Sequence, residues 1–240
     1  MHKIGDNLTG VNHRIQGAAL HALRDPSSIR LLAVSKTRSA DEIRQAYKEG
    51  QRRFGENYLQ EALDKQNHLI DLPLEWHFIG PIQSNKTRAI AEHFDWVHSV
   101  DRLRIARRLN DQRPEEKGPL QICLQMNVDN EASKSGVVLA ELEELALAVT
   151  ELTQLRLRGL MAIPAPRTDP AAQQRVFQSV ASALEHLRGR YTHRKEAQIP
   201  PLDTLSMGMS NDLEAAIAAG ATIVRVGTDI FGPRQPRTGI

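Results

Sequence analysis

A lysine at the end of a short apolar run is the residue of this sequence whose position most favours covalent chemistry. Residues 31–34 are apolar, Ser35 follows, and Lys36 comes next. Lysine side chains normally stay in water, because the ammonium group is costly to desolvate. At the mouth of a buried parallel strand, lost hydration favours the neutral amine, which is a nucleophile toward aldehydes. A solvated lysine at a strand end is the structural alternative.

Other polar or functional residues lie at or just after the ends of further apolar runs, where parallel strands bring their carboxyl ends together. They are Glu56, Asn57, Tyr58, His77, His98, Ser99, Asn127, Met161, Ser206, Ser210, Arg225 and Thr228. The set lacks the clustered histidine, cysteine and carboxylate ligands of a metal site, and it contains no G-x-S-x-G serine motif. His77 and His98 fall on different predicted strands, so we interpret both as hydrogen-bonded interior residues.

Two segments have the composition of a phosphate site. Ser210 immediately precedes a helix predicted from about Asn211, and a helix N-terminus offers unpaired backbone N–H groups to an anion. Gly227 and Thr228 end the last predicted strand, where a missing side chain admits a ligand and the threonine adds a hydroxyl. Phosphate sites of parallel barrels commonly form from the loops after strands seven and eight. A plain N-cap around Ser210 is compatible with either interpretation.

A lysine nucleophile beside a phosphate site points to pyridoxal 5′-phosphate (PLP), held covalently by Lys36. Arg225 lies near the end of the eighth predicted strand, where we expect it to face the pyridine nitrogen. Because a guanidinium stays charged, it would keep that nitrogen unprotonated and weaken the ring as an electron sink. A weak sink suits racemisation or simple carriage of the cofactor better than demanding carbanion chemistry.

These residues depend on a regular alternation of predicted strands and helices. The β-rich runs are Leu31–Lys36, Arg53–Glu56, Glu75–Ile79, Trp96–Ser99, Gln121–Asn127, Arg156–Ile163, Thr204–Met209 and Thr222–Val226. Helical patterns cover Gly10–Leu23, Ala40–Glu49, Val137–Leu152 and Asn211–Ala219, with Ser39 as a candidate N-cap and Gly50 as a C-terminal cap. Eight parallel β/α units in about 250 residues are typical of a closed (β/α)8 TIM barrel, here with an extra N-terminal helix.

An open doubly wound sheet is the alternative α/β architecture, but it usually carries a glycine-rich first turn. The turn after the first predicted strand, from Ser35 to Ser39, contains no glycine. The proline-rich stretch 164–170 falls between a strand and its following helix, where no domain boundary is expected. We therefore predict one barrel domain over residues 1–240.

Composition places the chain among ordinary globular proteins. Its 240 residues are 40% hydrophobic and 25% charged, with a formal net charge of +2, which by itself does not favour nucleic acid. No apolar run reaches the ~18 residues of a membrane span, and the N-terminus lacks the apolar core of a secretory signal. Cys123 is the only cysteine and is expected to be buried. These features predict a cytoplasmic protein.

Seven segments resemble the pyridoxal phosphate homeostasis proteins, a family of PLP-binding proteins without established enzymatic turnover. They are residues 33–37, 53–58, 76–86, 131–136, 158–163, 205–210 and 226–232, and they extend over nearly the whole chain. The block Trp76–Lys86 (WHFIGPIQSNK) is the most specific, whereas a lysine at a strand end is common. Ile82, where leucine is usual, and Asn211, where an acidic residue is common, depart from the family pattern.

The resemblance implies a barrel similar to the N-terminal domain of alanine racemase, with Lys36 as the Schiff-base lysine. The implied cofactor-binding residues are Lys36, Asn57, Met161, Ser210, Arg225, Gly227 and Thr228. Three of them would surround the phosphate, namely Ser210, Gly227 and Thr228, and Arg225 would lie near the ring nitrogen. The implied function is to carry or buffer PLP and maintain vitamin B6 homeostasis, which affects amino-acid and keto-acid metabolism indirectly. PLP-dependent apo-enzymes would be the recipients.

A PLP-dependent amino-acid racemase is the principal alternative. A two-base racemase needs a second catalytic group on the opposite ring face, and relatives of this fold obtain it from an additional C-terminal domain across a dimer. Only residues 232–240 follow the last predicted strand motif, which leaves no room for that domain. The tyrosines are Tyr47, Tyr58 and Tyr191, and the last lies in a segment expected to be exposed. We therefore expect a non-enzymatic PLP-binding protein.

A nucleic-acid or protein-interaction module is a weaker alternative, supported only by two groups of basic residues. They occupy residues 102–108 and 188–195, and we interpret them as solvated faces. Lys134 is a candidate second PLP site, with an ordinary loop lysine as the alternative reading. A monomer is expected, because no long exposed apolar stripe is evident in the sequence.

Overall fold

The computed structural model describes residues 4–131, 135–191 and 200–233. Within these ranges, eight parallel strands close into a barrel in sequential order, and β1 pairs with both β2 and β8. The strands are β1 (Arg30–Val34), β2 (Arg53–Glu56), β3 (Glu75–Phe78), β4 (Trp96–Val100), β5 (Leu120–Met126), β6 (Leu155–Ala162), β7 (Thr204–Ser206) and β8 (Ile223–Val226). The predicted (β/α)8 barrel is confirmed.

Helices surround the barrel and connect its strands. They are α1 (Ile4–His21), α2 (Ala40–Lys48), α3 (Leu59–His68), α4 (Thr87–His93), α5 (Leu103–Gln112), α6 (Leu139–Thr150), α7 (Pro170–Tyr191), α8 (Leu213–Ala218) and α9 (Thr228–Phe231). The predicted extra N-terminal helix is α1. Ser39 caps α2 through a capping box with Glu42, and Gly50 follows that helix with a φ of 93°, a conformation that glycine adopts readily.

The barrel interior holds a small apolar cluster, separate from the larger core between strands and helices. Its members are Leu32, Ile79, Trp96, Cys123, Met161 and Ile223. Cys123 is fully buried, as predicted, and burial raises the pKa of its thiol to about 12. His77 and His98 are also fully buried, and His77 Nδ1 lies 2.8 Å from His98 Nε2. The interpretation of these histidines as hydrogen-bonded interior residues is confirmed.

Several predicted boundaries were too long at the carboxyl ends of strands. β1 ends at Val34 instead of Lys36, and β7 ends at Ser206 instead of Met209. The apolar pattern continues past β7 because Met207, although outside the strand, is completely buried. An apolar sequence pattern indicates that residues are buried, not that they belong to a strand. Near the barrel ends some loop residues are buried as well, so the predicted strands extended into the loops.

Tyr191 was predicted to be exposed, and this prediction was wrong. It is the last residue of α7 and only 1% exposed, within the core between helices and barrel. In the nearby basic segment, Arg188 Nε donates to the Leu202 carbonyl at 2.8 Å, while residues 192–199 and Lys134 lie outside the described residues. In the other basic group, Arg102 pairs with Asp101 and Arg108 donates to the Ser84 carbonyl.

No helix in the described ranges combines the length and the apolar character that crossing a membrane requires.

Candidate cofactor site

The carboxyl ends of the strands surround a cavity of about 300 Å³. Its lining residues are Val34, Lys36, Arg38, Asn57, Ile79, Ile163, Pro164, Pro166, Met209, Ser210, Asn211, Asp212, Arg225, Gly227 and Thr228. Six of the seven residues predicted to bind a cofactor therefore meet in one cavity, although they come from four different strand ends. Among the described residues, no group of three or more histidine, cysteine and carboxylate side chains is arranged to hold a metal.

Met161 is the predicted site residue that does not line this cavity. It is 1% exposed and packs within the interior apolar cluster. Ile79 belongs to both that cluster and the cavity lining, and Val34 packs against the cluster and also lines the cavity. Met161 thus lies in the layer that supports the cavity floor.

Lys36 lies in a tight turn directly after β1. The Arg38 N–H donates to the Ser35 carbonyl at 3.0 Å, and Thr37 has a φ of 64°, a left-handed conformation that costs a non-glycine residue about 1 kcal/mol or more. The turn therefore needs support from outside its own four residues.

That support comes from a buried ionic cluster on β2 and α3. Lys65 Nζ donates to the Ser35 carbonyl at 2.7 Å, and it contacts the Oε1 atoms of Glu56 at 2.8 Å and Glu61 at 2.5 Å. Ser35 Oγ donates to Glu56 Oε1 at 2.6 Å, and the Thr37 N–H donates to Glu61 Oε1 at 2.5 Å. The cluster holds the residues on both sides of Lys36.

Charge inside this cluster is strongly desolvated. The side chain of Glu56 is 0% exposed and that of Lys65 is 7% exposed. Burial raises the pKa of Glu56, and the nearby Lys65 ammonium partly offsets that rise. The Lys65 ammonium is therefore needed to keep the buried Glu56 carboxylate ionised, because an unpaired charge in the protein interior is very unfavourable.

The opposite wall of the cavity is formed by the loop after β7 and the start of α9. Arg14 of α1 joins these two segments, since its Nη2 donates to the Ser210 carbonyl at 2.8 Å and its Nη1 donates to Asp229 Oδ2 at 2.6 Å. Asn7 Nδ2 also donates to the Ile230 carbonyl at 2.8 Å. The N-terminal helix therefore braces the candidate phosphate site.

Ser210 does not immediately precede α8, so that part of the prediction was wrong. The helix begins at Leu213, with Asp212 at its N-cap position, and Ser210 lies in the preceding turn. Asp212 Oδ1 accepts a hydrogen bond from the Met209 N–H at 2.6 Å. That bond closes the loop and brings Ser210 to the cavity wall, where it was predicted to be.

Gly227 occupies a position where a side chain would lie tightly against β1. A Cβ atom there would lie 3.0 Å from the Val34 carbonyl oxygen. Gly227 is the N-cap of α9, and its carbonyl accepts the N–H groups of Ile230 and Phe231. Glycine therefore lets the end of β8 pack closely beside β1, and its backbone lines the cavity.

Arg225 reaches the cavity from β8 and is almost completely buried. Its Nη1 donates to the Ser206 carbonyl at 2.5 Å and to Ser206 Oγ at 2.8 Å, while Nη2 donates to the Ala162 carbonyl at 2.9 Å. Burial lowers the pKa of Arg225 to about 10, against the opposing effect of Asp212. The guanidinium therefore remains positive at neutral pH.

Sequence reasoning missed the residues that position the site. Arg14 is 196 residues from Ser210, so local pattern carries no signal of that contact. Lys65 and Glu61 form an i,i+4 pair on α3, which in a sequence is indistinguishable from an ordinary surface pair. Arg38 was also missed; it donates to the Gly232 carbonyl and joins the first turn to the end of α9.

The fold and the cavity define the class of protein. The family described as alanine racemase, N-terminal domain, matches residues 7–235. The alanine racemase of Corynebacterium glutamicum has a TM-score of 0.67 at 18% identity, with 97% of this chain and 63% of that chain covered. This likeness shows the barrel fold alone.

Relatives with higher sequence identity show which family within this class the chain belongs to. The chain is 56% identical to the pyridoxal phosphate homeostasis protein of Escherichia coli (strain K12), over 98% of each chain. The structure of PipY from Synechococcus elongatus PCC7942 with PLP bound has a TM-score of 0.81 at 39% identity, covering 95% of this chain and 100% of that chain. The chain belongs to the pyridoxal phosphate homeostasis protein family, as the sequence resemblance indicated.

Replacing Lys65 by methionine is expected to destabilise the fold by about 3–5 kcal/mol, because the buried Glu56 carboxylate loses its counter-ion. The loss should be smaller at about pH 5 than at about pH 8, since protonated Glu56 needs no counter-ion. The free energy of unfolding in urea, determined for both proteins at both pH values, measures this loss.

The double variant Lys65→Met, Glu56→Gln should recover part of that stability, because it removes both charges. Lys48→Met, at an exposed position of α2, is the control and should change the free energy of unfolding by less than about 0.5 kcal/mol. An equal, small effect of both lysine substitutions would contradict the assigned role of Lys65.

Proposed function

We propose that this chain is a monomeric cytoplasmic protein that binds PLP through Lys36, and that it carries or buffers the cofactor for PLP-dependent apo-enzymes. The observation that carries the proposal is the meeting of Lys36, the Ser210 and Gly227–Thr228 segments, and Arg225 around one cavity. The PLP bound to PipY, a relative of 39% identity, supports the same choice of ligand.

The cavity fits PLP in size and in chemistry. Its volume of about 300 Å³ lies at the lower end of the range of small-molecule sites. Asn57 Oδ1 is buried and has no hydrogen-bond partner among the described residues, so a ligand could satisfy it. Gly227 leaves room for an anion at the backbone, and Thr228 adds a hydroxyl beside it.

Each side chain then has a definite role. PLP would supply an aldehyde, a group that condenses with an amine with loss of one water. Lys36 would supply that amine from a turn which the Lys65 cluster holds in place. Ser210, Gly227 and Thr228 would hold the phosphate, Asn57 would accept a hydrogen bond from the ligand, and Arg225 would lie toward the ring nitrogen.

Carriage of the cofactor fits the cavity better than two-base racemisation. Of the residues that line the cavity in the described part of the chain, four have titratable side chains: Lys36, Arg38, Asp212 and Arg225. Asp212 is the one carboxylate among them, and its Oδ1 accepts the Met209 N–H, so a second base beside Lys36 would have to be a group that the loop after β7 already uses.

The cavity is open to solvent at its rim. Ile163 and Met209 line the cavity and are 43% and 38% exposed. A bound cofactor could leave through this opening to reach an apo-enzyme.

Lys36→Ala is expected to abolish the visible absorption band that PLP gives when it is bound to a lysine. Lys48→Ala should keep the band, since that side chain is exposed on α2. Borohydride reduction followed by peptide mapping should find the label on Lys36. Label on Lys134 alone would overturn the assignment, and label on both would establish a second site.

Thr228→Val is expected to weaken PLP binding about tenfold, because one hydrogen bond to a charged group is lost. Binding of pyridoxal, which has no phosphate, should change much less. Isothermal titration with the two ligands measures the difference, and Thr9→Val on the exposed face of α1 is the control. Equal losses for PLP and pyridoxal would show that Thr228 does not bind the phosphate.

A transfer assay distinguishes a carrier from a racemase. The PLP-loaded protein should restore activity to the apo form of a PLP-dependent enzyme, and Lys36→Ala prepared in the same way should not. In D2O, the loaded protein should exchange the α-proton of L-alanine no faster than free PLP does. Exchange at an enzymatic rate that depends on Lys36 would contradict the carrier function.

A further inference from the structure

A continuous hydrogen-bonded chain crosses the barrel interior from its amino-terminal end to the cavity. Glu75 Oε1 lies 2.7 Å from His77 Nε2, and His77 Nδ1 lies 2.8 Å from His98 Nε2. His98 Nδ1 lies 2.7 Å from Ser206 Oγ, and Ser206 Oγ accepts a bond from Arg225 Nη1 at 2.8 Å. Three residues, His77, His98 and Ser206, thus connect Arg225 with Glu75 at the opposite end.

The groups at the two ends of this hydrogen-bonded chain determine which atom donates in each of its hydrogen bonds. An ionised carboxylate only accepts hydrogen bonds, so His77 Nε2 must donate to Glu75, and His77 Nδ1 must then accept from His98 Nε2. A guanidinium only donates, so Ser206 Oγ accepts from Arg225 and must give its own proton to His98 Nδ1. Both requirements assign one proton to each imidazole and give a partner to all four ring nitrogens and to the Ser206 hydroxyl.

The surroundings of the histidines agree with this assignment. Both rings are completely buried, and burial lowers the pKa of His77 and of His98, so both are neutral. Trp96 stacks on the His77 ring at a centroid distance of 5.4 Å and an interplanar angle of 8°. The chain is therefore fixed by packing as well as by hydrogen bonds.

We infer that Glu75, His77, His98 and Ser206 form a positioning relay for Arg225. The relay holds the guanidinium charged and in one orientation at the cavity, and it thereby sets the environment of the cofactor's ring nitrogen. The inference rests on the proposed function, because it needs PLP in the cavity with Arg225 facing that nitrogen.

The charges around the relay favour this arrangement. Arg225 carries positive charge at one end, and Glu75 carries negative charge at the other, where its Oε1 lies 3.5 Å from Arg53 Nε. Arg30 lies near both Glu75 and His98, and Asp212 lies near Arg225. Successive hydrogen bonds that point the same way polarise one another, so the carboxylate strengthens the acceptor that Arg225 meets.

Burying the polar side chains of the relay costs desolvation free energy that an apolar barrel interior would not. Its neighbours inside the barrel, such as Leu32 and Cys123, are apolar, and apolar side chains would fill the same space without a desolvation penalty. A polar chain with one defined proton pattern is useful where a charged group must be held in one place.

The test compares PLP with its deaza analogue, in which a C–H group replaces the ring nitrogen. Dissociation constants of both ligands are measured for the full chain and for Ser206→Ala, Glu75→Gln and Cys123→Ala. The wild type should prefer PLP, and Ser206→Ala should reduce that preference roughly threefold to tenfold, the effect of one hydrogen bond. Glu75→Gln should reduce it less, and Cys123→Ala should leave the ratio unchanged.

The ratio of the two dissociation constants separates a positioning role from a general effect on folding, since loss of structure weakens the binding of both ligands alike. An unchanged ratio in both Ser206→Ala and Glu75→Gln would overturn the relay. If Ser206→Ala does not fold, Glu75→Gln decides, because the Glu75 side chain is one-third exposed and lies at the start of β3, outside the cavity lining. Failure of the wild type to bind PLP on Lys36 would instead disprove the proposed function. The same experiment therefore distinguishes failure of the proposed function from failure of the relay.

Discussion

Closure of the barrel between its first and last strands is the constraint on which the site depends. Leu32 pairs with Arg225 and Ala33 pairs with Val226. Because parallel strands end at the same edge, this register places the Lys36 turn beside Gly227, where a side chain would lie tightly against the Val34 carbonyl. Lys36 and Gly227 are nearly 200 residues apart in the chain, yet one pair of strands aligns them.

Each half of the site has its own brace. The buried Lys65 cluster supports the strained turn that carries Lys36, and the partly exposed Arg14 joins the two segments of the candidate phosphate site. Ion pairs of either kind contribute little net stability, because desolvation or solvent screening offsets much of the attraction. Their value here is geometric, since they hold loop backbone in conformations that the loops would not keep alone.

A shared fold does not by itself give a shared function. The alanine racemase of Corynebacterium glutamicum shares the barrel at 18% identity, which shows architecture alone. The relatives named for pyridoxal phosphate homeostasis match over nearly the whole chain. In this chain, one barrel end brings together the Lys36 amine, the candidate phosphate site and the Arg225 guanidinium. The proposed carrier function needs these groups to bind a phosphorylated aldehyde and nothing more.

The sequence by itself determined the eight strands, four of the nine described helices and six of the residues that line the cavity. Alternating patterns and strand-end residues are local properties, and in a parallel barrel the strand ends necessarily converge. Only the tertiary structure decided the exact turn of Lys36, the start of α8, the burial of Tyr191 and the place of Met161 beneath the cavity. It alone revealed Arg14, Lys65 and the histidine chain, because their partners are distant in sequence or on other strands, where no local periodicity records a contact.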